Sequence, residues 1–281
     1  MREARRTGYL AALRIKLSKL ILASIVGSFA LPLSALPFAA LLSSAHAATY
    51  TISCSGGGSF SVSGPNIPSN SGANCVGIAT IPLGITTVDA NAFEQTSPSA
   101  TNLGKVTGVV WPASGLTTIS SSAFQFTNLT SISVPSSVTS IAAQAFADNP
   151  NLASASLAGG TAASPLLTGY YIFNNTPNLT SLSLGSGVMD FGWLEFAGSS
   201  ITSITGGSGL RAIGDQTLSG TNLQSFSVPS TVTTIGIESF RNTKLTTIQL
   251  PCALNSIGTS AYLGITTLST CLLYTSDAAD E

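Results

Sequence analysis

Charge is what this chain has least of. Only 7% of its 281 residues are charged and a single histidine, His46, is present, against about 25% charged residues in an average soluble domain. Six of the ten basic residues (Arg2, Arg5, Arg6, Arg14, Lys16, Lys19) lie in the first nineteen positions. Beyond them only Lys105, Arg211, Arg241 and Lys244 remain, facing seven acids between Ala48 and Thr270. With no histidine outside the leader, an imidazole-based catalytic triad and a histidine metal site are both excluded. Four scattered cations cannot follow a phosphate backbone, which excludes nucleic acid as a partner. There is no phosphate loop, nucleophile elbow or C-x-x-C pair, so neither a cofactor nor an enzymatic activity is expected. Low charge also accompanies disorder, but here 44% of residues are hydrophobic, twelve of them Phe, and such a chain can build a core.

The two ends read differently from the middle. A basic start, an apolar run from about Leu20 to Leu42 and the exit Ala45-His46-Ala47-Ala48 have the form of a signal peptide over 1–47. The run also reaches membrane-spanning length, so a retained anchor is the alternative; Pro32, Pro37 and the small-residue exit favour cleavage. No later segment is apolar enough to span a membrane, and the mature chain is expected outside the cell or on its surface. Residues 271–281 (Cys-Leu-Leu-Tyr-Thr-Ser-Asp-Ala-Ala-Asp-Glu) read either as a short native tail or, better, as a translated transposon-end sequencing adapter, which would make the gene truncated.

Between the ends the chain repeats itself. Leu129-Thr-Ser-Ile132-Ser-Val134-Pro135 aligns with Leu179-Thr-Ser-Leu182-Ser-Leu184, Leu223-Gln-Ser-Phe226-Ser-Val228-Pro229 and Leu245-Thr-Thr-Ile248-Gln-Leu250-Pro251. Weaker copies begin at Val76, Val106, Leu152, Ile201 and Ile265. A second element, Val138-Thr-Ser-Ile141 through Phe146 and Val232-Thr-Thr-Ile235 through Phe240, carries an aromatic that recurs as Phe93, Phe124, Phe146, Phe173, Phe196, Phe240 and Tyr262, with Leu218 substituting once. In L-x-x-L-x-L the last two apolar residues lie two apart, so a strand points both to one face. One unit of about 22 residues cannot bury that face alone, whereas stacked units share a continuous core. Proline after the strand lacks an N–H and ends the pairing, and the recurrent aromatic is expected beneath each strand.

These motifs resemble the BspA-like leucine-rich-repeat family of bacterial secreted and surface proteins, whose unit Ile81-Pro82-Leu-Gly-Ile85-Thr-Thr-Val88-Asp-Ala-Asn-Ala92-Phe93 matches closely. The resemblance covers residues 76–270 and implies a repeat solenoid: a right-handed superhelix of eight to nine repeats with a parallel β-sheet on its concave face, mainly β with short helical turns. It departs from the family pattern at 157–175, which is lengthened, and at 204–218, which lacks Pro and Phe. It implies adhesion or binding to extracellular macromolecules.

Residues 48–75 read as an N-terminal cap, with Tyr50–Cys54 and Ser59–Ser63 forming a hairpin around Gly56-Gly57-Gly58. In an oxidising compartment Cys54 and Cys75 are expected to form a disulfide across the following loop, the alternative being two buried thiols. Cys252 reads as a small buried residue.

Strand positions facing away from the core line the expected binding face: Thr130, Ser131 and Ser133; Thr180, Ser181 and Ser183; Thr202, Ser203 and Thr205; Gln224, Ser225 and Ser227; Thr246, Thr247 and Gln249. All carry hydroxyls or amides and none is charged, which suits a neutral glycan or an extended protein segment; Ser and Thr on a solvated sheet are the bland alternative. Asp190 and Glu195 beside Trp193 form the one carboxylate pair with conceivable acid–base use, although solenoid edges carry such residues without it. Tyr170 and Tyr171 could form a binding patch, with packing and loop anchoring the favoured reading. Asn128, Asn174 and Asn178 begin chance glycosylation sequons. The expected protein is a non-catalytic binding module for an extracellular protein or glycan. The alternatives are a spacer or targeting region of a larger surface protein, and a self-associating structural layer.

Overall fold

The computed structural model describes residues 47–95 and 106–274. The leader over 1–46 lies outside them, as do Lys105 and residues 275–281. Nineteen strands follow in chain order, and they sort into three groups. A hairpin opens the fold, with β1 (Thr49–Cys54) antiparallel to β2 (Phe60–Ser63) in register Tyr50–Val62 and Ile52–Phe60. Two-residue strands form one column: β3 (Asn66–Ile67), β5 (Thr87–Val88), β7 (Thr118–Ile119), β9 (Ser140–Ile141), β11 (Leu167–Thr168), β14 (Ala212–Ile213), β16 (Thr234–Ile235) and β18 (Ser256–Ile257). Longer strands form the other: β4 (Gly77–Thr80), β6 (Val106–Val110), β8 (Ser131–Val134), β10 (Ser154–Leu157), β12 (Ser181–Leu184), β13 (Ser203–Gly206), β15 (Ser225–Ser227), β17 (Thr247–Pro251) and β19 (Thr270–Tyr274).

Within each column neighbouring turns pair in parallel, β3-β5-β7-β9-β11 and β14-β16-β18 on one side, β8-β10-β12-β13 and β15-β17-β19 on the other. The architecture is therefore a β-solenoid whose turns supply one long and one short strand each, except between β12 and β13, where isolated bridges at Val188 and Asp190 stand in for the short strand. β4 pairs with β6 in parallel and with β1 of the hairpin in antiparallel, so the hairpin is joined edge to edge to the first long strand. The long-strand sheet breaks twice, between β6 and β8 and between β13 and β15. At the second break the cause is local. There Gly206 and Gly207 take φ of 79° and 76°, a left-handed conformation that residues with a Cβ adopt only at a cost, and strand geometry ends.

The return segments hold no helix among the described residues, against the expected short helical turns. The reason is local. Two residues before each ladder aromatic the backbone is left-handed at a non-glycine residue: Asn91, Ser122, Gln144, Tyr171, Leu194, Gln216, Glu238 and Ser260, with φ between 51° and 59°. Two residues after it the sign recurs, at Phe126, Asp148, Asn175, Gly198, Gly220, Asn242 and Gly264. A right-handed helix cannot pass through such residues. Their amides instead bond to the next turn, as in Ser122 N–H to Ala143 O (3.0 Å) and Glu238 N–H to Thr259 O (3.1 Å).

The ladder itself is a stack of rings. Phe93, Phe124, Phe146, Phe173 and Phe196 lie 4.8–5.7 Å apart, centroid to centroid, with interplanar angles of 7–15°. All are fully buried. Leu218 interrupts the stack, which resumes as Phe240 against Tyr262 at 5.4 Å. Near the gap the strand side contributes a ring of its own: Phe226 of β15 lies 6.1 Å from Phe240. Burying one such ring contributes about 1.5–3 kcal/mol.

A buried polar column accompanies the rings. Three residues after Phe124, Phe146, Phe173 and Phe240 a side chain caps the aromatic's own carbonyl: Thr127 (2.9 Å), Thr176 (2.7 Å) and Thr243 (2.9 Å) donate a hydroxyl, and Asn149 donates its amide to Phe146 O at 2.9 Å, whereas after Phe196 the buried Ser199 hydroxyl has no partner. Thr221 does the same for Leu218. These five turns thus satisfy a carbonyl that would otherwise be buried without a partner, at a cost of about 1–3 kcal/mol.

The last repeat sits in a different register from the one the pattern suggests. Thr247 pairs with Thr270, Ile248 with Cys271 and Leu250 with Leu273. Leu268, rather than Ile265, therefore corresponds to Leu245, and the spacing is 23 residues instead of 20. Among the described residues no helix is long and apolar enough to cross a membrane.

Candidate functional site

The alternation within each long strand sorts its residues by face. In β8 and β12 the exposure runs exposed, buried, exposed, buried, so Ile132, Val134, Leu182 and Leu184 enter the core while Ser131, Ser133, Ser181 and Ser183 face water. Because the strands pair in parallel without slippage, these outward residues form rows across the sheet. Ser131, Ser154, Ser181 and Ser203 make one row, and Ser133, Ser156, Ser183 and Thr205 the next. Beyond the break, Ser225 aligns with Thr247 and Ser227 with Gln249. Neighbouring members of a row stand about 4.8 Å apart.

The threonines at the strand entrances have a structural task that the sequence did not announce. Thr130, Thr180 and Thr246 are exposed, yet each donates its hydroxyl to a carbonyl of the previous turn, at 3.4, 3.4 and 3.2 Å. Thr202 does so at 3.1 Å. The short-strand column uses the same device, with Thr117 donating to Thr86 O at 3.2 Å and Thr233 to Arg211 O at 3.3 Å. These hydroxyls tie turn to turn. The groups left for a ligand are the serine rows with Gln224, Thr247 and Gln249, all exposed except the half-buried Ser156.

One stretch of this face is shaped. A depression of about 370 Å³ is lined by Ser225, Phe226, Ser227, Thr247 and Gln249, and a second of about 250 Å³ adjoins it at Ser227, Val228, Pro229, Ser230 and Pro251. Ser227 Oγ and Gln249 Oε1 lie 3.0 Å apart, so the serine donates and the amide carbonyl accepts. The shape lies beside the interruption of the sheet between β13 and β15, which periodicity alone does not reveal. It concentrates four outward positions of the second half of the solenoid, Ser225, Ser227, Thr247 and Gln249.

The other sequence candidates separate clearly. Glu195 is completely buried, so it cannot serve as half of an open carboxylate pair with the exposed Asp190. Its Oε2 accepts the Gly192 N–H at 2.8 Å while Oε1 has no partner. Burial pushes its carboxyl up from the usual 4.5 to about 8, opposed only by that one N–H. The two cysteines of the opening segment are joined, Cys54 to Cys75, with Cα atoms 5.4 Å apart. Cys252 is exposed rather than buried, because it lies just past Pro251, where β17 ends. Asn178 of the last sequon donates its amide to Pro150 O at 2.7 Å.

Comparison with known proteins bears on the fold. A model of BspA type leucine rich repeat regions matches in six copies, over residues 59–162 and 167–274. Among solved structures, a leucine-rich repeat protein from Bacteroides ovatus superposes with a TM-score of 0.50 at 19% identity, covering 76% of this chain and 65% of that one. A leucine rich cell surface protein from Faecalibacterium prausnitzii gives 0.42 at 20% identity, over 72% and 60% of the two chains. The pneumococcal vaccine antigen PcpA gives 0.34 at 15% identity, over 77% and 75%. This chain thus spans under two thirds of the first two structures. No curated protein matches it significantly.

Proposed function

Because this chain belongs to the BspA-type leucine-rich repeat family, we propose that it is a bacterial, secreted or surface-attached, non-catalytic module that binds an extracellular protein or glycan through the outward face of its long strands. The observation that carries this reading is the parallel register of that face. It sets neutral hydroxyl and amide groups in rows about 4.8 Å apart, with no charged side chain among the fifteen outward positions. Such a surface offers many hydrogen bonds and no long-range steering, which suits a polar, uncharged or extended ligand.

The depression over β15 and β17 marks where contact is expected to be densest, since fully desolvated contacts concentrate binding energy. Its polar groups point outward from a rigid sheet, so little ordering is required on binding. The repeats also span less than two thirds of the length of the first two solved structures compared, which suits a module within a larger surface protein.

An array of glycans and extracellular-matrix proteins probed with the purified protein tests the proposal. Reproducible binding to at least one class is expected. Uniformly blank arrays would overturn it.

A further inference from the structure

Away from the long strands, two adjacent return segments carry rings that folding does not call for. Tyr170 and Trp193 occupy equivalent positions, three residues before the buried Phe173 and Phe196. They stay 53% and 49% exposed. In the other six turns the same position holds Ala90, Ser121, Ala143, Asp215, Ile237 or Thr259, so the turn closes without an aromatic. The next residue, left-handed in every turn, is Tyr171 in one of the two and Leu194 in the other, with φ of 59° and 51°. Elsewhere it is Asn, Ser, Gln or Glu. A bulky side chain there is the less favourable choice for folding.

The rings touch. Tyr171 meets Tyr170 edge to face at 5.8 Å and Trp193 at 5.3 Å, while the backbones are tied by Tyr171 N–H to Trp193 O at 3.3 Å. The flanking positions are Gly169 and Gly192, where the backbones of successive turns pack against each other. A Cβ on Gly192 would lie 2.3 Å from Gly169 O. Leu167, 66% exposed, extends the apolar surface. The exposed carboxylate nearest in the chain is Asp190, whose backbone carbonyl accepts the Thr168 hydroxyl at 3.3 Å across the two turns. No Lys or Arg lies between Lys105 and Arg211.

From this juxtaposition we infer that Tyr170, Tyr171 and Trp193 form a second binding site, for a neutral saccharide. A pyranose ring presents a C–H face that stacks on an aromatic ring and a rim of hydroxyls that seek acceptors such as the Asp190 carboxylate. The carboxylate and the lack of cations disfavour anionic sugars. Size decides against a protein partner. Three rings on two turns cover far less than the about 800 Å² per partner that a stable protein interface needs, but they match one or two sugar rings. Contiguous exposed apolar surface, unlike a scattered single residue, is what ligand-binding sites use on folded proteins. This site is independent of the long-strand face.

Intrinsic fluorescence reads the site directly, because Trp193 is one of only two tryptophans. The full chain is titrated with cellohexaose, the hexamer of N-acetylglucosamine and mannohexaose, with oligogalacturonate and tetramethylammonium as charged probes. At least one neutral hexasaccharide is expected to shift the emission saturably. Trp111→Phe should keep that shift, and Tyr170→Ser should weaken the affinity by about tenfold or more. Trp193→Ala, followed by calorimetry, should lose binding; should it fail to fold, the exposed Tyr170→Ser carries the test alone. Thr259→Ala, at the equivalent exposed position of a later turn, should leave the affinity unchanged. No response to any neutral hexasaccharide, a response confined to a charged probe, or an affinity unchanged by Tyr170→Ser would overturn the inference.

Discussion

Glu195 is the most consequential single residue in the core. In the equivalent place other turns have Ala92, Ala123, Ala145, Ile172, Thr217, Ser239 and Ala261, and the polar members are satisfied: Thr217 donates to Gly192 O at 2.6 Å and Ser239 to Gly236 O at 2.7 Å. A carboxyl is one atom too rich for the same slot, and Oε1 is left over. With its pKa raised to about 8, the folded protein holds a proton that the unfolded chain has already released. The stabilisation is therefore complete below about pH 4.5 and declines as pH rises toward 8, by up to about 5 kcal/mol in total. Glu195→Gln should flatten this decline and raise the unfolding free energy at pH 8 relative to the parent. Urea unfolding of both proteins at pH 5 and pH 8 checks it; parallel pH dependences would contradict the assignment. The ladder rings act at the same scale. Phe146→Ala or Phe240→Ala removes a fully buried ring from between two others and is expected to cost about 3–5 kcal/mol. An unchanged thermal midpoint in either variant would refute the packing described.

At the scale of the element, the hairpin and its disulfide hold the first turn. Cys54 sits at the end of β1 and Cys75 just before β4, bridging 21 positions. Phe60 of β2 packs edge-on against Phe93 at 5.9 Å, so the hairpin covers the first ring of the stack. Removing the bridge with paired Cys54→Ala and Cys75→Ala should cost about 3 kcal/mol; an unfolding free energy equal to the parent's would show that the bridge adds nothing. The strands were legible because their signal is a two-residue alternation repeated in register, and Val134, Leu184 and Leu250 enter the core as that alternation requires. The return segments were less so. Asn91, Gln144 and Glu238 are unremarkable in a sequence, and only the backbone reveals that each is left-handed. The F-x-x-T spacing of Phe124 to Thr127, Phe173 to Thr176 and Phe240 to Thr243 was a usable signal for the buried hydroxyl caps. It was masked by Asn149 and Ser199, which occupy the same position with different chemistry.

For the molecule as a whole, the scarcity of charge becomes a property of stacked turns. Each turn ties to the next through two strand columns, through the amides of the return segments and through threonine hydroxyls, so the interior needs almost no ion pairs. One is present among the described residues, Arg241 to Glu238 at 3.0 Å. The same stacking aligns neutral serines into rows, which is why the candidate face could be located from periodicity. The depression at Ser227 and Gln249 could not, since it lies on β15 and β17 beside the break from β13, which only the strand pairing reveals. The most direct test of the binding face is a side-by-side array of glycans and matrix proteins. It compares the parent with a triple variant, Ser183→Arg, Ser227→Arg and Gln249→Arg, whose substitutions all fall on exposed positions. The account predicts a signal from the parent that falls by about tenfold or more in the variant, with the thermal midpoint unchanged. Equal signals from the two proteins, or no signal from either, would contradict it.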